Sequence, residues 1–418
     1  MNIRRFNGDF GNSTNNFMID GYYLEIPTNV VEISETKANE LFVNPITQSN
    51  ELLERLVIST EIGGKERYYL VGEMAEMSKL SNSHVAMMHD KIKSNIPYLS
   101  FLSAVSYYTA LNSDNNDNKI EIDYMSMMLP IWLLKREDKF SYAQKQMEER
   151  FIGEHSVKII TLGMEKELKI VVKNTKCRIE SEVARHALKY KMLASEVDKN
   201  VLIIEKRNNI EFANFPVVLV DIGGGSTDAV KLAKGLSTPQ SRESFQVIDI
   251  EPFLGEIEQL RKEKLLEYFH NLRALEKFVV ENYRQKKYVF KDENTGENYD
   301  FTNKINEVLQ EYANIFATKL LNAFIPESGE PIKFIYFGGE ASILEPFIKP
   351  ALLDHMSEAA AENNHFFLNE ILEDDKKEIF KPSPRTINLA ALEILSINEM
   401  RKTNEGEWRK KRQNGFEC

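Results

Sequence analysis

The chain has 418 residues, 42% of them apolar and 28% charged, enough for two domains with sizeable cores. Its net charge of −11 excludes a general grip on nucleic-acid phosphates, which needs a basic surface. Two cysteines far apart, Cys177 and Cys418, exclude a disulfide framework, and the absence of a bilayer-length apolar run or a secretory leader points to a soluble cytoplasmic chain without membrane contact.

In chain order, Ile3–Phe6 reads as a strand that enters the turn Asn7-Gly8-Asp9-Phe10-Gly11-Asn12-Ser13-Thr14-Asn15. Strands Asn15–Ile19 and Tyr22–Ile26 follow. Residues 34–90 form a polar segment with a hairpin, Leu56–Thr60 and Tyr68–Val71, turning at Gly63-Gly64. Leu99, Leu102, Val105 and Tyr108 predict a helix over Tyr98–Leu111, followed by an Asn- and Asp-rich loop over Asn112–Asn118. A strand over Tyr124–Leu129 ends at Pro130, and its Met125, Met127 and Met128 are core residues. Lys135–Phe151 is a charged helix or loop. His155–Leu162 and Glu167–Val172 form a hairpin. Ser181 has the chemistry of an N-cap for a helix over Glu182–Leu193.

The most informative stretch is Val217 to Lys231, VVLVDIGGGSTDAVK. Four apolar residues lead to Asp221, then Gly223, Gly224 and Gly225, then Ser226, Thr227 and Asp228. Glycines let the backbone bend sharply, and successive N–H groups in such a turn make a concave anion site. The hydroxyls of Ser226 and Thr227 suit phosphate oxygens, whereas carboxylates beside phosphates hold Mg²⁺ or its waters. Phe253–Lys287 is helical and highly charged, Asp292–Asp300 is a loop around Gly296, and Asn303–Phe324 is an amphipathic helix. The strand Phe334–Phe337 runs into a third glycine turn, Gly338-Gly339-Glu340, which opens a helix. Another helix begins at Pro384-Arg385-Thr386-Ile387-Asn388. The basic groups Arg401-Lys402 and Arg409-Lys410-Lys411-Arg412 read as its solvated end.

A glycine turn after one strand marks only a tight hairpin. Here Asp9-Phe10-Gly11 overlays Asp221-Ile222-Gly223, and with one gap Ser13-Thr14-Asn15 falls on Ser226-Thr227-Asp228. Such an internal repeat predicts two similar lobes with a ligand between them.

These three motifs, spaced over nearly the whole chain, resemble those of the actin-like ATPase superfamily. Asp9–Asn15 resembles its first phosphate motif, Asp221–Asp228 its second, and Phe334–Leu344 its adenosine motif. Within the superfamily the chain is most similar to the ParM-like bacterial actins that segregate plasmids. The resemblance implies an α/β, actin-like (ribonuclease H-like) two-lobed fold, with duplicated βββαβα domains flanking a nucleotide cleft. The first domain would be 1–177, with 385–418 returning to it and a small subdomain near 34–90. The second would be 178–384, with a small subdomain near 236–330.

The resemblance also implies ATP, or alternatively GTP, with Mg²⁺. Asp9, Gly11, Asn12, Ser13, Thr14, Asn15, Gly223, Gly224, Gly225, Ser226, Thr227, Gly338, Gly339 and Glu340 would bind nucleotide. Asp9 and Asp221 would hold the metal, with Asp221 and Glu180 the catalytic carboxylates. Glu182 is an equally placed alternative to Glu180. Glu281, Arg284 and Lys287 are candidates for the base and ribose. The implied activity is NTP hydrolysis coupled to a head-to-tail filament, with an adaptor protein carrying the plasmid centromere DNA. Small-molecule kinases and chaperone-type ATPases share the fold and are the alternatives. One departure stands out: where muscle-type actin has a lysine after its first phosphate turn, this chain has Asn16 or a neighbour. A different positive group, or the metal alone, must then balance phosphate charge.

Overall fold

The computed structural model describes residues 1–78, 90–112, 118–195, 202–208, 212–324, 329–372 and 375–414, with side chains to 401. Most of the Asn- and Asp-rich loop at 112–118, and the side chains of the basic run Arg409–Arg412, lie outside the described residues. No helix among the described residues is long and apolar enough to cross a membrane.

Two sheets organise the chain. The first has ten strands. Its order is Tyr22–Pro27, Thr14–Ile19, Asn2–Phe10, Lys119–Leu129, Lys166–Val172, Gly153–Ile159, Val57–Ile62, Lys65–Val71 and Val30–Ile33, with Thr175–Ile179 also paired to Lys119–Leu129. The second has five strands, in the order Phe245–Val247, Thr227–Leu232, Val217–Ile222, Lys333–Phe337 and His365–Phe367. The two share one plan. In each, a three-stranded antiparallel meander has its first strand paired in parallel with a strand that follows a long helix. The helices in question are Asn95–Asn112 and Thr302–Ala323. Helical crossovers of this kind cover the sheet faces, so the strands beneath them are apolar on both sides.

That explains the uninterrupted Val217–Ile222. Val218, Val220 and Ile222 enter a core built with Phe253, Ile257, Leu309 and Phe316. Val217 and Leu219 enter a different core, shared with Met128 and Ile131 of the first lobe and with Ile387, Ala390 and Ile394 of the last helix, Ile387–Asn414. This junctional core joins the lobes. Asp221, by strand alternation, lies on the Val217–Leu219 face and meets that helix at the strand's end. In the first lobe Arg5, Asn7 and Asp9 share the equivalent face. Arg5 pairs with the buried Glu393, with Nη2 3.0 Å from Oε1, Asn7 donates to Glu393 Oε2 at 2.6 Å, and Ser396 donates to Asn7 Oδ1 at 2.6 Å. The last helix thus returns to the first strand.

Most expected elements form, often longer than their sequence signals. The helix predicted over Tyr98–Leu111 spans Asn95–Asn112, and the strand predicted over Tyr124–Leu129 begins at Lys119. The three methionines are buried. Three segments differ. The helical stretch expected over 253–287 breaks into two helices, Phe253–Lys264 and Leu272–Asn282. Residues 182–193 do not make one helix: Arg185–Lys189 is helical, and Tyr190–Ala194 is a strand paired with Leu202–Lys206. Ser181 is not a cap, having a left-handed φ of 67°. The expected loop at 292–300 closes a small hairpin, Val289–Lys291 with Asn298–Asp300.

Candidate functional site

Parallel strands present their carboxyl ends to the same edge, the usual place for a ligand in such sheets. Here those ends converge from both lobes. Pro130 follows Lys119–Leu129, Glu180 follows Thr175–Ile179, Gly223 follows Val217–Ile222, and Gly338 follows Lys333–Phe337; all four line one cleft of about 800 Å³ including its open mouth. Asp9, Gly11, Asn12, Ser13, Thr14, Gly224, Gly225, Ser226, Gly339 and Glu340 line it too.

The two glycine turns are built alike. Asp9 stands opposite Asn16 across its hairpin, and Asp221 stands opposite Asp228. The repeat therefore needs no gap: Thr14 matches Ser226, Asn15 matches Thr227, and Asn16 matches Asp228. In each turn the first glycine lies against a carbonyl, because a Cβ on Gly11 would fall 2.3 Å from Thr14 O and one on Gly223 would fall 3.0 Å from Ser226 O. Thr28 Oγ1 donates to Gly11 O at 2.8 Å, and Leu254 N donates to Gly224 O at 2.9 Å, fixing both turns from behind. Among the described residues the N–H groups of Asn12, Gly224 and Gly225 donate to no protein acceptor, which leaves them for a ligand. The turns also meet: a Cβ on Gly225 would overlap the Asn12 side-chain amide.

Strand alternation corrects two of the expected contacts. Asn15 and Thr227 are buried and do not line the cleft; Asn15 donates to Ser100 Oγ at 3.0 Å inside the first lobe. Their neighbours Asn16 and Asp228 face the cleft instead. Glu281 and Arg284 do not line it either. Both are exposed, and Arg284 packs on Tyr283. Lys287 is exposed as well. The buried charged pair of that region lies a turn or two earlier, on the helix Leu272–Asn282. Arg273 donates to Ser13 Oγ at 2.9 Å and to Asn12 O at 2.6 Å, pairs with Glu276, and Ser13 donates to Glu276. This helix therefore grips the first turn from the other lobe. Leu272, Leu275 and Val279 carry the apolar stripe that sets its register.

Sequence reasoning also missed Lys91. It is buried, lines the cleft and lies 3.3 Å from Glu180 Oε2. No local pattern marks a single lysine in a polar segment. It supplies a positive group inside the cleft, and Arg385 lines the same cavity. Glu182, the alternative to Glu180, does not line the cleft and instead bonds Arg185 at 2.5 Å.

The charge balance is unfavourable without a ligand. Burial, then the Glu180 carboxylate, pushes Asp9 well above the usual carboxylate range. The same causes in the same order raise Asp221 to about 7 and also raise Asp228. Burial, then Glu276, raises Glu340 to about 7. Burial alone would lower Lys91, but the Glu180 and Asp9 carboxylates outweigh it and hold its pKa above the ordinary value. Buried carboxylates raised in this way are poised to gain from a cation. Among the described residues no three acidic, histidine or cysteine side chains are placed to chelate a metal directly. The donor set fits an ion such as Mg²⁺, which keeps most of its waters and takes one or two carboxylates plus phosphate oxygens. The buried Asp228 Oδ1 and Asn388 Oδ1, each without a hydrogen-bond partner, are acceptors suited to such waters.

Gly338 holds the third turn against the second. Its φ is +103°, and a Cβ there would lie 2.5 Å from Asp221 Oδ1 and 2.6 Å from Ile222 N. The backbone atom cannot yield. Gly338→Ala is therefore expected to cost roughly 2 kcal/mol or more in urea unfolding. Gly339→Ala is the control, because its nearest neighbours, on Arg385, start at 3.7 Å and the change should be tolerated.

Comparison with known proteins agrees with this geometry. The family model for the Alp7A C-terminal domain matches residues 216–371. The crystal structure of the actin-like protein Alp7A superposes with a TM-score of 0.85 at 42% identity, covering 98% of this chain and 100% of that one. Bacillus thuringiensis ParM with AMPPNP matches at 0.60 and 15% identity, over 96% of this chain and 100% of that one. A 15-stranded ParM filament from Clostridium botulinum matches at 0.60 and 15%, over 94% and 99%. These last two matches establish the fold alone. No match was found among curated proteins. With 42% identity over the full length of Alp7A, and with the duplicated sheets and facing glycine turns of an actin-like fold, the chain belongs to the Alp7A family of actin-like proteins.

Proposed function

We propose that this chain binds a magnesium nucleoside triphosphate between its two glycine turns, hydrolyses it, and assembles head to tail into filaments that move plasmid DNA through a DNA-binding adaptor. The observation that carries this reading is the pair of turns facing each other across one cleft, each with a carboxylate at its entry, Asp9 and Asp221. Unpaired N–H groups of both turns bind the β- and γ-phosphates. Asp221 and Asp9 would hold the magnesium ion, which would neutralise phosphate charge. Lys91 compensates the remaining negative charge. Arg273 and Glu276 hold Asn12 and Ser13 of the first turn from the second lobe and so keep that turn in place beside the nucleotide. Gly338, Gly339 and Glu340 close the adenosine side. ATP is the expected nucleotide, with GTP as the alternative.

Glu180 orients the attacking water from beside Lys91, the usual protein contribution to NTP hydrolysis. Glu180→Gln is expected to slow single-turnover hydrolysis by about 10²-fold while nucleotide affinity changes little. A parallel loss of affinity would remove Glu180 from that role. Loss of the γ-phosphate removes a bridge between lobes that share the junctional core, so hydrolysis loosens the cleft. The net charge of −11 supports leaving DNA contact to an adaptor.

The reading is tested by light scattering and pelleting. Addition of ATP and Mg²⁺ should produce a rapid rise in scattering and pelletable polymer, and omission of either should prevent it. A protein that hydrolyses nucleotide yet stays in the supernatant would belong with the non-polymerising enzymes of this fold.

A further inference from the structure

Asn388 lies at the start of the last helix, 6% exposed, and lines the cleft. Its Nδ2 donates to Asp221 Oδ2 at 2.7 Å. The Ser181 hydroxyl approaches the same oxygen from 3.5 Å. Asp221 Oδ1 lies on the other side, where Gly338 leaves room for it. Asn388 Oδ1 is buried and finds no hydrogen-bond partner. A buried amide with one end satisfied and the other orphaned is costly unless a ligand supplies the missing donor. The amide therefore does two things: it fixes the rotation of the Asp221 carboxylate, and it offers an acceptor into the cleft.

Further along, the same helix carries Glu393 and Ser396, which hold Arg5 and Asn7 of the strand leading to Asp9. One rigid element thus touches Asp221 directly and the strand that presents Asp9. We propose that Asn388 is a positioning residue for the metal–nucleotide site: its N–H holds Asp221, and its Oδ1 accepts from a metal-bound water, tying the last helix to the loaded cleft. This rests on the reading of the cleft given above. Groups that orient metal-binding carboxylates are worth about ten-fold or more in metal affinity.

The test uses the full chain and a fluorescent ATP analogue, with binding followed as Mg²⁺ is titrated. Asn388→Leu, similar in size and without polar atoms, should raise the half-maximal Mg²⁺ concentration about ten-fold and weaken metal-free binding of the analogue by much less. Asn388→Ser keeps a donor and an acceptor on a shorter stem, and should limit the rise to roughly two- to three-fold. Urea unfolding of each variant separates folding from binding. If Asn388→Leu does not fold, the Ser variant carries the test. Wild-type Mg²⁺ dependence in the variants would overturn the role of Asn388 alone, as would a loss of binding equal with and without Mg²⁺. Failure of the wild-type chain to bind the analogue at any Mg²⁺ concentration would overturn the reading of the cleft and the role of Asn388 together.

Discussion

Asp221→Asn is expected to abolish sustained phosphate release, a fall of at least about 10²-fold, while giving a folded protein that is more stable than wild type without ligand. The carboxylate is buried at the end of Val217–Ile222, with Asn388 and Ser181 on Oδ2. Its pKa rises from 3.8 to about 7, first through burial and then through Glu180. The sign follows from proton linkage. Between these two values the native state binds more protons than the unfolded chain, so this group's contribution to stability falls as pH rises from about 4 to about 7. Ligand-free protein should therefore melt lower at pH 8 than at pH 5.5, and Asp221→Asn should flatten that slope. Mg²⁺ with nucleotide should reverse it in wild type, because bound cation favours the ionised carboxylate. Thermal melts at the two pH values, with phosphate release at pH 7.5, check these outcomes. Near-normal turnover in Asp221→Asn would show that this carboxylate is not needed for hydrolysis.

The second large effect is expected at Lys91. Lys91→Met keeps the apolar stem and removes the charge. Glu180, Asp9 and Asp228 then lose the cation that interacts with all three. Breaking a buried pair strands its partner, at a cost of about 3 kcal/mol. Nucleotide affinity should fall at least about ten-fold, since the phosphates lose a nearby positive group. Urea unfolding and titration with a fluorescent nucleotide read the two effects separately. Lys91→Arg should recover part of the affinity. A Lys91→Met protein with wild-type affinity would leave phosphate charge to the metal and Arg385.

The parts of the fold legible in the sequence are those that short-range sterics dictate. A strand that must turn sharply against a ligand needs glycine, so Gly11, Gly223 and Gly338 mark their turns from the sequence alone. The helix over Asn95–Asn112 and the strand Val217–Ile222 follow from apolar spacing, because a buried face admits few alternatives. The duplicated meander follows from the repeat of Asp-x-Gly. Its alignment without a gap needed the pairing register: equal hairpins put Asn16, not Asn15, in the place of Asp228.

What stayed hidden depends on packing between distant segments. Lys91 enters the cleft from a polar stretch in which nothing distinguishes it from its neighbours. That Arg273 and Glu276, and not Glu281 and Arg284, reach the first turn depends on the rotation of one helix, set by Leu272, Leu275 and Val279. A charged helix offers several pairs at similar spacing, and only the buried stripe selects among them. The strand at Tyr190–Ala194 owes its form to its partner Leu202–Lys206 rather than to its own composition.

The most direct measurement is a crystal structure of the chain with Mg²⁺ and a non-hydrolysable ATP analogue. The expected density places the β- and γ-phosphates between the turns at Gly11 and Gly223, with the metal's waters on Asp221 and Asp9 and the γ-phosphate facing Glu180. Nucleotide bound outside this cleft, or held by one turn with the other left in solvent, would contradict it.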